Sequence, residues 1–353
     1  MKRIIILMFK KYRGKGLTGL ANLGNTCFMN SVLQCISHTY EFNDFLDTER
    51  HKDLLNKKAD SLILMEWDKL RKMMWEENCT ISPGGFVMAI RKIARLKDKQ
   101  IFTGYAQNDL TEFLIFLIEC FHNAINREVE MEIKGKAKTT KDELAKKCYK
   151  MVKNMYESDY SEMLNIFYGT HVSMISSLDG DKISDSPEPF LMIQLEIPTI
   201  KRRPNIYDCL DAYTKLETLE GDNMYFNEDK KEKEKVMKSI QFWKLPQILI
   251  VVLKRFICNG NRIKKNEKNI DFDVTGLDLS KYVLGYGKGD NKYELYGICN
   301  HSGGTMGGHY TSYVKNANNK WYHFNDTSCK EVTNIDELKS SRAYCFFYRK
   351  KNI

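Results

Sequence analysis

The chain has 353 residues, 42% of them hydrophobic and 29% charged, with 6 prolines and a net charge of +9. This length suits one large domain or two to three subdomains sharing continuous cores, and the composition is that of a globular protein. A membrane-spanning helix is excluded, because no apolar stretch approaches the length one needs.

Near the N-terminus the apolar run Ile4–Phe9 lies between Lys2, Arg3 and Lys10. It is too short for a signal-peptide core and no small-residue cleavage site follows, so residues 1–16 are expected to be a leader strand or a disordered tail. Residues 17–165 read as mainly helical, with apolar periodicity through Phe28–Ile36, Leu62–Met74, Phe86–Leu96 and Leu110–Ile125. Around Phe167 the character changes. The segments Phe190–Ile197, Gln247–Phe256, Tyr293–Cys299, His309–Val314, Lys320–Phe324 and Ala343–Tyr348 are short and rich in β-branched and aromatic residues, and read as strands. The charged stretch Glu228–Lys238 is expected to be an exposed loop or helix between strands. A helical half followed by a strand-rich half gives an α+β arrangement.

The 10 cysteines are scattered, at 27, 35, 79, 120, 148, 209, 258, 299, 329 and 345, and no C-x-x-C occurs. Neither a zinc ribbon nor a redox pair is encoded locally, and the pattern reads as free thiols in a reducing intracellular compartment. The positive charge is spread over a lysine-rich surface with acids interleaved at 135–153 and 230–238, which argues against a nucleic-acid partner.

One segment combines turn formers with a helix start: Gly19-Leu-Ala-Asn22-Leu-Gly24-Asn25-Thr26-Cys27-Phe28-Met-Asn30-Ser31. Gly24 and Asn25 tolerate positive φ, Thr26 suits an N-cap, and Phe28, Val32 and Ile36 recur on one helix face. Cys27 therefore opens a helix, where free N–H groups and the helix dipole favour the thiolate. Asn22 can bring a side-chain amide to the same spot for an oxyanion. For an isolated cysteine a buried core role is the better reading, and the turn before Cys27 brings the two only to even, so the functional reading needs a base.

The base candidate is His309, which follows the glycine pairs Gly303-Gly304 and Gly307-Gly308 and leads into a strand. The glycines suggest a mobile flap above a rigid strand edge. After a turn at Asn316–Asn319 comes Trp321-Tyr-His-Phe324-Asn325-Asp326. If Lys315 pairs with Lys320, Asp326 lies opposite His309; a slip of one residue puts Asn325 there instead. Either can orient the imidazole.

These residues resemble the ubiquitin-specific protease family of deubiquitinases, which has a papain-like cysteine protease fold. The segment around Cys27 is similar to the family's cysteine box, and Gly307-Gly308-His309-Tyr310 with Trp321–Asp326 to its histidine box. Tyr105-Ala-Gln107-Asn-Asp109-Leu-Thr-Glu112-Phe113-Leu114 resembles its Gln-Gln-Asp-Ala-x-Glu-Phe-Leu block, and Leu245–Phe256 resembles a further landmark. The motifs stand in the family's order across residues 17–350.

The resemblance implies a single catalytic domain with a helical thumb (17–165), a β fingers extension (166–245) and a β-rich palm with the histidine box (246–350). It implies a deubiquitinating thiol protease that acts after the C-terminal glycine of ubiquitin, needs no cofactor and works as a monomer on ubiquitinated proteins. Cys27 is then the nucleophile and His309 the general base and acid. Asn325 is the first choice as orienter with Asp326 in support, and Asn22 stabilises the oxyanion. An asparagine orienter supplies geometry without negative charge. Gln107 and Asp109 are expected to face the channel for ubiquitin's arginine-bearing tail, with Glu112, Gly307, Gly308 and Tyr310 also on the substrate side. Asp109 and Glu112 read equally as a capping box. Ser302–Gly308 and Ile257–Lys268 match the family's two blocking loops.

The chain departs from the family at its fingers. The stretches Ser173–Gly180 and Asn223–Asp229 stand where the family commonly carries zinc-binding cysteine pairs, and contain no cysteine. No metal is expected. The same chemistry on a ubiquitin-like modifier and a catalytically weak ubiquitin-binding protein are the alternatives.

Overall fold

The computed structural model describes residues 9–199, 203–228, 230–260, 262–287, 289, 291–304 and 307–351. Helices dominate the first half: α1 (Cys27–Ser37), α2 (Tyr40–Asp47), α3 (Arg50–Leu54), α4 (Ser61–Glu76), α5 (Gly84–Leu96), α6 (Leu110–Ile125), α7 (Thr140–Tyr156) and α8 (Glu162–Phe167). One later helix, α9 (Ile206–Thr214), lies among the strands. The short pair β1 (Gly19–Leu20) and β2 (Thr80–Ile81) is parallel. Among the described residues no helix is long and apolar enough to cross a membrane.

After Phe167 the chain is mostly strand. A four-stranded sheet joins β3 (Gly169–Ser176), β4 (Lys182–Phe190), β6 (Glu217–Leu219) and β9 (Val236–Lys244) in the order β4-β3-β9-β6. Hairpins are formed by β7 (Tyr225–Asn227) with β8 (Glu232–Glu234), and by β11 (Phe256–Asn259) with β12 (Arg262–Lys265). The large sheet contains β5 (Met192–Leu195), β10 (Ile248–Leu253), β13 (Leu277–Asp278), β14 (Lys292–Gly304), β15 (Gly307–Lys315), β16 (Trp321–Asn325), β17 (Ser328–Glu331) and β18 (Ala343–Lys350). Its order is β17-β16-β15-β14-β18-β10-β5, with β13 paired to β14.

Strand parity builds two cores from one run. In β10, Ile248, Ile250 and Val252 pack on the helical side, while Leu249, Val251 and Leu253 face the opposite core with α9. A strand buried on both faces has no polar positions, which is why Ile248–Leu253 is continuously apolar. All 11 residues of α1 are buried. Each fully buried Leu or Ile of such a helix contributes about 1.5–3 kcal/mol relative to exposure.

One expectation changes here and a second holds only in part. The segment read as a leader is tied in from Phe9 onward: Phe9–Tyr12 forms a 3-10 helix, Tyr12 is buried, and its ring stacks on Tyr40 at 4.4 Å between centroids. The part of the apolar run before Phe9 lies outside the described residues. Glu228–Lys238 is a loop only at its start, where Glu228, Lys230 and Lys231 form an exposed turn; Glu232–Glu234 pairs with Tyr225–Asn227 and Val236 opens β9. Cross-strand pairing overrides the helical leaning of its Lys and Glu, whose long side chains stay in water while the backbone is paired.

Candidate active site

Cys27 is the first residue of α1, and the turn before it has the backbone that its residues suggested. Gly24 has φ +89° and Asn25 +55°. A Cβ at Gly24 would also press into the Tyr105 ring. Thr26 stands at the N-cap, but its hydroxyl does not cap the helix. It accepts instead from the Leu23 N–H at 2.9 Å, while the Thr26 N–H donates to Asn22 Oδ1 at 3.0 Å. The first-turn N–H groups are thus left without a side-chain cap beside the sulfur.

The expected thiolate does not follow. Burial pushes the Cys27 thiol up, and the charge of Asp326 adds to this; the backbone amides of Tyr310, Phe28 and Cys27 oppose it without reversing it. Removal from water outweighs the dipole of a helix terminus at this depth.

His309 lies on β15. Its Nε2 is 2.7 Å from Asn325 Oδ1 and 4.0 Å from Asp326 Oδ2. A carboxamide oxygen only accepts, so Nε2 carries the proton and Nδ1 keeps its lone pair. The hairpin adopts neither register weighed from the sequence. Lys315 pairs with Trp321 and Ser312 with Phe324. One further step sets Asn325 beside Thr311, diagonal to His309 and on the same face. Among the described residues, His309 hydrogen-bonds to Asn325 and not to Cys27.

Asp326 turns away, with φ +48°. Its Oδ2 accepts from Asn22 Nδ2 at 3.0 Å and its Oδ1 from Asn30 Nδ2 at 2.8 Å. Its carbonyl accepts from the Leu20 N–H at 2.8 Å. The residue that follows the histidine-box strand thereby holds the loop and helix that carry Cys27. Asn30 was not singled out from the sequence. Its signal was a carboxamide one turn beyond Cys27, at the head of the stripe Asn30, Gln34 and Ser37 on a helix that is buried all round.

Gln107 does not project freely into a channel. Its Oε1 accepts from the Gly308 N–H at 2.7 Å, and its Nε2 donates to the Gly308 carbonyl at 2.9 Å. Asp109 is the N-cap of α6: Oδ1 accepts from the Thr111 N–H at 2.7 Å and Oδ2 from the Tyr344 hydroxyl at 2.8 Å. The reciprocal half of a capping box is missing, since Glu112 is exposed and does not reach back. The Tyr310 ring is buried, 4.7 Å from His301 between centroids, so the backbone of Tyr310 rather than its ring approaches the sulfur.

The two expected loops are β-hairpins. The β14–β15 ladder runs out to Gly304 opposite Gly307, so the glycines are paired backbone rather than a loose flap. Thr305 and Met306 at its tip lie outside the described residues. Lys265 of β12 donates to the carbonyls of His301 and Gly303 at 2.8 and 2.9 Å, joining the two hairpins. In the β7–β8 ribbon, Glu234 accepts from Asn227 at 2.6 Å and from Lys230 at 2.7 Å, and the Phe226 ring is half exposed. Asp229 lies outside the described residues. Among the described residues no group of three His, Cys, Asp or Glu side chains is placed to hold a metal ion.

Known proteins are similar to this chain over nearly its whole length. Ubiquitin carboxyl-terminal hydrolase 2 of Bos taurus is 33% identical over 345 residues, covering 95% of this chain and 55% of that protein. Ubiquitin carboxyl-terminal hydrolase Usp2 of Drosophila melanogaster is 33% identical over 343 residues, covering 96% of this chain and 35% of that protein. The chain thus spans about half or less of the length of these curated relatives. Among solved structures, the SAGA Ubp8/Sgf11/Sus1/Sgf73 DUB module bound to ubiquitin aldehyde matches with TM-score 0.74 and 26% identity, over 97% of this chain and 71% of that one. The fold is the mixed helix-and-sheet, papain-like architecture of that group. Residues 18–348 match the model of the family described as ubiquitin carboxyl-terminal hydrolase, and the chain belongs to that family.

Proposed function

We propose that this chain is a deubiquitinating thiol protease that hydrolyses the isopeptide or peptide bond after the C-terminal glycine of ubiquitin. The observation that carries the reading is His309 Nε2 at 2.7 Å from Asn325 Oδ1, on the strand that packs against the helix opened by Cys27. That tautomer leaves Nδ1 free to take the Cys27 proton. The sulfur then attacks the glycine carbonyl, and the oxygen takes up negative charge near the first-turn N–H groups and the Asn22 amide. The protonated His309 gives its proton to the leaving lysine amine as the C–N bond breaks. Water, activated by the same imidazole, resolves the thioester and restores the thiol.

Gln107, Asp109, Glu112, Gly307, Gly308 and the Tyr310 backbone flank the path assigned to the ubiquitin tail. Residues 17–165, 166–245 and 246–350 are assigned as thumb, fingers and palm. The enzyme is assigned as a monomer, and as resident in a reducing intracellular compartment, the latter supported by scattered cysteines such as Cys35 and Cys299, which stay thiols and hydrogen-bond at 3.6 Å.

The test is incubation with ubiquitin bearing a C-terminal electrophile, beside a Cys27→Ala variant. One ubiquitin added by mass, and lost in the variant, is the expected result. No adduct from folded, reduced protein would overturn the assignment to ubiquitin, and an adduct with a ubiquitin-like modifier would replace it.

A further inference from the structure

The side chain of Asn30 is 3% exposed and sits one helical turn beyond Cys27. Its Nδ2 faces three acceptors: Asp326 Oδ1 at 2.8 Å, the Leu20 carbonyl at 3.2 Å and the Ala21 carbonyl at 3.4 Å. Turning the amide over would set its oxygen against all three, so the orientation is fixed. In this orientation Asn30 Oδ1 is buried with no hydrogen-bond partner. A buried carboxamide that satisfies only one end carries a cost, and an apolar side chain there would instead leave the Asp326 carboxylate without this donor.

What Asn30 gains is control of a carboxylate. Asp326 is held by Asn30 on one oxygen and spends the other on Asn22 Nδ2 at 3.0 Å, remaining 4.0 Å from His309. Asn22 is fixed at its other end by Thr26, whose N–H donates to Asn22 Oδ1 at 3.0 Å. The chain Asn30–Asp326–Asn22 therefore sets the direction of the Asn22 amide at the mouth of the Cys27 turn. Without Asn30, the carboxylate is free to swing toward the imidazolium that forms on His309 and to release Asn22.

We propose that Asn30 is a positioning residue, which acts through Asp326 to aim the Asn22 amide at the oxyanion. The proposal rests on the assignment of Cys27 and Asn22 made above. It concerns the transition state, so loss of Asn30 lowers kcat and leaves KM nearly unchanged.

The test is steady-state hydrolysis of ubiquitin carrying a C-terminal fluorogenic amide by Asn30→Ala, Asn22→Ala, the double variant and Asn30→Asp. Asn30→Ala is expected to lower kcat about tenfold to a hundredfold, with KM within about twofold. In the Asn22→Ala background the same substitution is expected to have little further effect, because its route is already cut. Asn30→Asp keeps the shape, and only its protonated carboxyl can donate to Asp326, so its activity relative to the parent falls as pH rises. Equal fold losses in both backgrounds, or an Asn30→Asp ratio flat with pH, would overturn the proposal and leave Asn30 a structural residue. If Asn30→Ala does not fold, the pH series of Asn30→Asp decides alone. Retained turnover in Cys27→Ala, by contrast, would remove the assignment of the site itself.

Discussion

Gln107 and Gly308 hold each other as two peptide groups would, N–H to Oε1 at 2.7 Å and Nε2 to carbonyl at 2.9 Å. The side chain takes the place of a neighbouring strand on the open edge of β15. Gln107→Ala is expected to speed exchange of the Gly308 amide about tenfold, the equivalent of about 1.4 kcal/mol, and to leave the Val314 amide unchanged. Amide exchange followed by NMR reads both. Unchanged protection at Gly308 would mean that the pair is not kept in solution.

The adjoining glycines differ sharply in the room around them. A Cβ at Gly308 would overlap His301 Nε2 and the Ser302 carbonyl, whereas at Gly307 it would meet Gln107 Oε1 at 3.3 Å. His301 cannot give way, because it is buried against Phe256 and Tyr310 at 5.4 and 4.7 Å between centroids. Gly308→Ala is expected to cost about 1–3 kcal/mol of stability, and Gly307→Ala about 0.5 kcal/mol or less. Urea midpoints of the two variants give the comparison, and equal shifts would count against the steric argument.

Arg349 supports the far side of the same sheet. It donates to Glu41 Oε1 at 2.7 Å and to the His38 carbonyl at 2.8 Å, with its guanidinium 4.4 Å from the Tyr296 ring centroid and 4.6 Å from that of Tyr40. Arg349→Ala leaves the Glu41 carboxylate in the protein without its cation and is expected to cost about 3–5 kcal/mol. Arg349→Lys restores the charge but not the planar fork or the stacking, and should fall between. Denaturant unfolding of the pair measures the split.

Acid should weaken the fold before the carboxylates titrate. Burial holds His38 down to about 4, and burial reinforced by the charge of Lys265 does the same to His301. From about pH 6.5 to pH 4 the unfolded chain binds protons on these rings that the folded one does not, so stability falls as pH falls. Urea midpoints should be lower at pH 5 than at pH 7, with a shallower slope in His38→Gln. A flat profile over that range would refute the argument.

The helix that Cys27 opens was legible because its signals are local: a glycine-asparagine turn, a face of Phe28, Val32 and Ile36, and a cysteine at the start. The pairing of His309 with Asn325 was legible only as one of two candidates. The loop between β15 and β16 explains the difference. Asn319 has φ +65°, and Asn316 donates to the Lys320 carbonyl at 2.9 Å, so three residues rather than four form the loop and the register moves by one. The helix α9 carried a readable signal, the reciprocal capping of Asn205 and Asp208, inside a polar stretch that concealed it. The raised Cys27 thiol and the grip of Asp326 on Asn30 depend on contacts between segments 296 residues apart, which no local rule encodes.

The complete burial of α1 makes the two walls of the cleft unequal. Cys27 is cast into the core along with every residue that follows it to Ser37, so shifting it means repacking the domain. The opposing wall is made of hairpins whose edges face solvent and whose ties, from Gln107 and Lys265, are single side chains to backbone. Displacing that wall would break only these side-chain ties, whereas displacing the sulfur would disturb the core around α1.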